Sequence, residues 1–250
     1  MRRVRGVGVL GVVVVTMVIA VAWTSVPEAL GNAELFRVRA VEMEGERFLT
    51  EAELERLMAL SAGATIWEDS KQLELRIEEH ALVLDARVRR RLPGTLRVEI
   101  RERDPVALLP RPVMTAVDRE GQALPVDPVL HRLDLPILQP VREPWSEGIS
   151  LTPSQIGMLA AEVAALSELD PELLASVSEL AVDARGDVIV RLGSPEVTLR
   201  YRAPLAPARL REGLRVLDDA LRRIPDRRPT AVDLRFDDQV VVQFPQQEAR

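Results

Sequence analysis

The sequence predicts an α+β protein: an N-terminal transmembrane helix, then two exported domains in which short strands and amphipathic helices are mixed. Three observations predict it. An uncharged run from Gly6 to Pro27 follows Arg2, Arg3 and Arg5; a β-α-α-β-β pattern follows from Phe36; and short strands with two leucine-rich helices fill the remainder. The chain has 250 residues, enough for two modest cores. Its 47% hydrophobic content argues against wholesale disorder.

The first element combines a basic leader (residues 1–5) with an apolar run (6–26) long enough to span a hydrocarbon core of roughly 30 Å. Trp23 suits the far interface, and the arginine bias places the N-terminus in the cytoplasm and the rest outside. A secretory signal is the alternative, with Ala20-Val21-Ala22 as a small-x-small cleavage site, but the run exceeds the usual signal core. Both readings export everything after about Val26. Residues 27–35 form a linker.

The first exported domain is expected over 36–109. Phe36, Val38, Val41 and Met43 alternate as a strand with a bulge near Ala40, ending at Gly45. Thr50 and Glu53 form a capping box, followed by Leu54, Leu57 and Met58 on one helical face, with Gly63 as the stop. A second helix starts at Asp69 or Ser70 and turns Leu73 and Ile77 inward, with Glu74, Arg76, Glu78 and Glu79 outward. The run "ARVRRRLPGTLRVEIRERDPVAL" is a hairpin with its turn at Pro93-Gly94. Leu84, Ala86, Val88 and Arg90 share one face with Leu96, Val98 and Ile100 opposite them on the return strand. The arginines Arg87, Arg89, Arg91, Arg97 and Arg101 take the solvent face, interleaved with Asp85, Glu99, Glu102 and Asp104. In a chain of net charge -6 this is a paired, solvated surface, not a nucleic-acid groove.

The second domain is expected over 110–245, before a polar tail at 246–250. It opens with a hairpin turning at Arg119-Glu120-Gly121, followed by a proline-rich connector through "LHRLDLPILQPVREPW". Thr152-Pro153-Ser154-Gln155 starts a helix that Asp170-Pro171 closes. Strands at 178–183, 188–192 and 197–201 make an antiparallel meander. A helix from Pro207 to Arg223 carries Leu210, Leu214, Leu217 and Leu221 on one face, and two strands flank Asp237-Asp238.

Several function classes are excluded or weakened. There is no cysteine for a disulfide, thiolate metal site or nucleophile, and the two histidines, His80 and His131, sit in no recognisable catalytic setting. Glu78-Glu79 and Asp237-Asp238 read as a helix face and a turn, and the glycines form no phosphate loop. No catalytic, cofactor-binding or metal residue is assigned, so the expectation is a non-enzyme without a small-molecule substrate. A terminal strand offers a different activity. An edge strand exposes backbone donors and acceptors that another chain can pair with. Val240, Val241 and Val242 are strong strand formers and Phe244 could anchor a partner side chain; the alternative is that they only close the core.

The β-α-α-β-β order, with Val38, Val41, Met43 and Gly45 at its start and "RRLPGTLRVEIRERDPVA" at its end, resembles a POTRA (polypeptide-transport-associated) domain. More narrowly, it is similar to the version carried by the FtsQ/DivIB family of bacterial cell-division proteins. "VDREGQAL", a leucine-rich helix and "VDLRFDDQVVVQF" extend that resemblance over nearly the whole chain. It implies a single-pass inner-membrane protein at the division septum whose second domain binds FtsB (DivIC in some bacteria), which pairs with FtsL. On this sequence the implied contact positions are Arg235, Phe236, Val240, Val241, Val242 and Phe244. It implies a scaffold linking early cytoplasmic assembly to septal peptidoglycan synthesis. A POTRA-bearing chaperone or secretion component is the alternative, weakened because no second repeat and no barrel-length series of strands is visible.

Overall fold

In the computed structural model, residues 34–110, 113–141, 150–193, 195–224 and 227–245 are described. The expected leader, transmembrane helix, most of the linker and the polar tail lie outside them. No helix among the described residues is long and apolar enough to cross a membrane. The chain divides into two units, one ending at Glu102 and the other starting at Arg103.

The first unit is a three-stranded sheet in the order β1-β3-β2 with two helices. Strand β1 (Ala40–Glu44) runs parallel to β3 (Thr95–Glu102), which pairs antiparallel with β2 (Val83–Arg91). The first strand is shorter than its sequence pattern, because Phe36 closes a 3₁₀ turn over Glu34–Phe36 and the Val38 amide bonds to the Ala64 carbonyl instead of to the sheet. Helix α1 (Glu51–Met58) has the expected reciprocal capping box, which holds the Glu53 carboxyl below its ordinary range, chiefly through the Thr50 amide. It ends at Ala59, in the left-handed conformation, and not at Gly63. Its terminal Met58 carbonyl accepts a bond from Arg76 of α2 (Ser70–Glu78), a partner supplied by tertiary packing.

Leu54, Met58, Ile66, Leu73 and Ile77 are almost completely buried against Leu96, Val98 and Ile100, each contributing about 1.5–3 kcal/mol through burial. A bulge between Val83 and Asp85 shifts the strand phase. Val83 is therefore buried, and Leu84, expected inward, is 45% exposed. Gly45, with φ +91°, lets the chain pass so close that a Cβ would stand 2.2 Å from the Ile100 carbonyl oxygen. Among the outward arginines Arg89 pairs across the hairpin with Glu99 as expected, whereas Arg91 and Arg97 pair with Glu42, and Arg97 also with Glu44, carboxylates of β1 that the hairpin pattern does not reveal. Glu102 does not join them. It ends β3 on the inner face, buried, and accepts the amides of Arg47, Phe48 and Leu49 at 2.8–3.1 Å. Those amides precede α1 and need acceptors.

The second unit is built on one nine-stranded mixed sheet in the order β12-β11-β10-β9-β8-β7-β4-β5-β6. Strand β4 (Ala107–Leu109) pairs with β5 (Thr115–Val117) and β7 (Ile137–Pro140), so residues assigned on sequence to the end of the first domain belong to this sheet. Strand β6 (Ala123–Leu124) completes that side. The buried Asp118 carboxylate accepts the amides of Glu120 and Gln122 and an Arg103 N–H at 2.9 Å, which fixes the expected turn.

Strand β7 lies inside the proline-rich connector, where period-two hydrophobicity is too short to read. Next come α3 (Pro153–Leu169), capped by Thr152, and a short α4 (Pro171–Ala175), for which Asp170 serves as both the end of one helix and the cap of the next. The meander is β8 (Val177–Val182), β9 (Asp187–Gly193) and β10 (Glu196–Arg202). Helix α5 (Pro207–Arg223) buries Leu210 and Leu217 and leads to β11 (Ala231–Asp233) and β12 (Val241–Gln243).

Candidate partner-binding edge

Strand β11 runs parallel to β10 because α5 is a crossover between them, and β12 returns antiparallel to β11 in the register Ala231↔Gln243, Val232↔Val242, Asp233↔Val241. β12 is thus the terminal strand of the nine-stranded sheet. Among the described residues, no strand pairs with its outer side. The Gln243 carbonyl accepts the Thr230 amide at 2.8 Å and so faces β11. By alternation, the amide and carbonyl of Val242 point to the open side.

Side chains along β12 divide between two faces. Val240 and Val242 pack against the core beneath the sheet, where Val232 is fully buried. Val241 and Gln243 take the opposite face, Val241 half-buried and Gln243 exposed. The side chains of Val240 and Val242 therefore close the core, while the Val242 backbone faces the open side. Phe244 is half-buried under the Arg227 guanidinium, 5.5 Å from its ring centre. Phe236, in the loop before β12, is 42% exposed.

Arg235, one of the implied contact positions, has its charge engaged within the sheet. Its guanidinium donates to Asp233 at 2.6–3.1 Å and to Asp187 at 2.7 Å. These bonds, Asp233 first, hold its pKa well above the ordinary arginine value and hold the Asp233 carboxyl below the usual carboxylate range. Arg200 extends the network to Asp183 and lies 3.6 Å from Asp187. Burial pushes Asp183 up, but the amides of Asp187 and Arg185 and the Arg200 guanidinium outweigh it and bring the carboxyl below its ordinary range. This cluster ties β11 to β9 and β10, and both guanidiniums are engaged by its three carboxylates.

Arg209 was not legible as a site residue. From the first turn of α5 it donates to the carbonyls of Leu234, Phe236 and Gln239, and to Glu212 at 2.6 Å. It clamps the loop that sets the position of β12. Its backbone acceptors lie 25 to 30 residues away and leave no trace in side-chain pattern.

The smaller sheet also has two edges, and they differ. The Glu78 and Glu74 carboxylates of α2 accept the outward amides of Ala86 and Val88 at 3.1 and 2.8 Å, which caps β2. β1 is the other terminal strand.

The family model of the FtsQ-type POTRA domain matches residues 36–103, and that of the FtsQ/DivIB C-terminal region matches residues 113–235. A cell division protein FtsQ from Rhodothermus marinus is 31% identical over 220 residues, covering 84% of this chain and 78% of that protein. The chain belongs to the FtsQ/DivIB family of cell-division proteins. FtsQ of Myxococcus fulvus is 26% identical over 197 residues (78% of this chain, 69% of that one), and FtsQ of Syntrophotalea carbinolica 30% over 169 residues (67% and 60%). The first unit is the FtsQ-type POTRA domain. The FtsQ/DivIB C-terminal match ends at Arg235, so β12 lies just beyond it.

Proposed function

We propose that this chain is a non-catalytic scaffold of the division machinery, held in the inner membrane by its N-terminal apolar run with both units exported at the septum. It recruits an FtsB-type partner, together with FtsL, by accepting a partner strand beside β12, and so links early cytoplasmic assembly to septal peptidoglycan synthesis. The observation that carries this is the open side of β12, the terminal strand of a nine-stranded sheet. The contacts proposed for an added strand are the outward Val242 backbone, Val241 and the exposed Phe236, with Phe244 beyond them. Val240 and Val242 hold β12 to the core. Arg235 supports the surface by tying β11 to β9.

Capture of FtsB/FtsL-type partners by the exported region tests this reading. Phe236→Ala combined with Val241→Lys removes an exposed anchor and sets a charge on the outer face, and capture should fall by about tenfold or more. Equal capture by both proteins removes β12 as the binding strand.

A further inference from the structure

Three segments of the first unit meet at one end of it: Glu34–Arg39, Thr65–Glu68 and Arg90–Gly94. Arg37 bridges Thr65, the Ile66 amide donates to the Phe36 carbonyl at 2.9 Å, and the Arg39 amide to the Gly94 carbonyl at 2.8 Å. The Phe36 and Trp67 rings meet edge-on at 5.7 Å. The Arg90 guanidinium lies 5.9 Å from the Trp67 ring and donates to the carbonyls of Ile66 and Glu68. Around this frame three large apolar side chains stand open: Leu35 at 54% exposure, Trp67 at 46% and Leu92 at 65%.

The chain beyond this end restricts what can cover them. The apolar run ends at Pro27, so only Glu28 to Ala33 separate it from Glu34. Fully extended, such a segment spans about 20 Å at most. We propose that Leu35, Trp67 and Leu92 rest in the boundary between headgroups and acyl chains of the membrane that holds the N-terminal run, so that the POTRA unit stands on the bilayer by this end. The proposal rests on the membrane-anchor reading above.

Trp favours that depth, and leucines beside it add apolar area. The three segments carry charges of both signs, Arg37, Arg39, Arg90 and Arg91 with Glu34 and Glu68, of which Arg37 pairs with Glu34 at 3.6 Å and Arg91 with Glu42 at 3.0 Å. Insertion is therefore driven by apolar area and depends little on anionic lipid.

The full chain carrying Trp23→Phe and Trp145→Phe, reconstituted into vesicles, leaves Trp67 as its single tryptophan reporter. Lipid spin-labelled high on the acyl chain should quench Trp67 about twofold in phosphatidylcholine, and equally when phosphatidylglycerol is added. Adding Leu35→Ser and Leu92→Ser should abolish most of that quenching, whereas Leu84→Ser, at the other end of β2, should leave it. Trp67 left unquenched in a chain that resists an alkaline wash overturns the proposal alone, as does quenching confined to anionic vesicles or indifferent to the two leucine changes. Loss of the chain in the wash overturns the anchor reading and this proposal with it.

Discussion

Glu102 and Glu162 are both glutamates buried in an apolar setting, and their environments set them opposite tasks. Glu102 is surrounded by the amides ahead of α1 and is a structural acceptor. Glu162, in α3, has the Leu205 amide at 3.3 Å and the buried Tyr201 phenol beside it. Burial, only partly offset by the Leu205 amide and the nearby phenol, raises the Glu162 carboxyl above the ordinary value of 4.5. Burial first, and then Glu162, raises the Tyr201 phenol. A raised carboxyl pKa means that folding favours the protonated acid. That stabilisation is complete below the unfolded value and is lost as pH rises through the folded one. Glu162→Gln keeps an oxygen for Leu205 and removes the titration. Its thermal midpoint should therefore fall less than that of the unmodified chain between about pH 4 and about pH 7; parallel curves would show that Glu162 does not titrate there. Asp183 and Asp233, with lowered values, act in the opposite direction: their contribution is present above about pH 4 and fades as pH falls below it.

At the scale of elements, the two sheets treat their edges differently. β2 is arginine-rich and long enough to pair with a foreign strand, yet α2 lays two carboxylates along its outer amides. β12 is three residues long and, among the described residues, no strand or carboxylate bonds to its outer amide. Glu74→Ala with Glu78→Ala should destabilise the first unit by about 2 kcal/mol, since two outward amides lose their acceptors. The same change should speed amide exchange at Ala86 and Val88 by about tenfold. Denaturation followed through Trp67 and residue-resolved exchange measure the two effects. Unaltered exchange would mean that water already competes for those amides.

For the whole molecule, pairing of a partner with β12 has a signature that simple burial lacks. The amides of Val241 and Gln243 face β11, whereas that of Val242 faces outward. An added strand should slow exchange at Val242 by about tenfold or more and change Val241 and Gln243 little. Uniform slowing across 240–244 would instead indicate a partner lying over the face of the sheet. Protection unchanged by the partner, together with binding that survives deletion of this stretch, would end the strand-addition account.

Local chemistry read from the chain settled the four longer helices and where most of them start, but not the short α4, whose Pro171 reads only as the end of the helix before it. Thr50 with Glu53, Asp69, and Thr152 with Gln155 cap as expected, because a cap needs partners only three residues away. The leucine face of α5 and the hairpin of β2 and β3 were legible for the same reason: period and turn are short-range properties. Tertiary structure decided whatever depends on a distant partner. The bulge that exposes Leu84, the burial of Glu102, the strand inside the proline-rich connector and the transfer of Ala107–Leu109 to the larger sheet all require knowing what lies alongside. The candidate site divides along the same line. That 240–244 would be a strand was written in its β-branched residues. That this strand is terminal, that Arg209 clamps the loop before it, and that Arg235 reaches Asp187 follow from sheet order and from contacts across 25 to 48 residues, which side-chain periodicity does not encode.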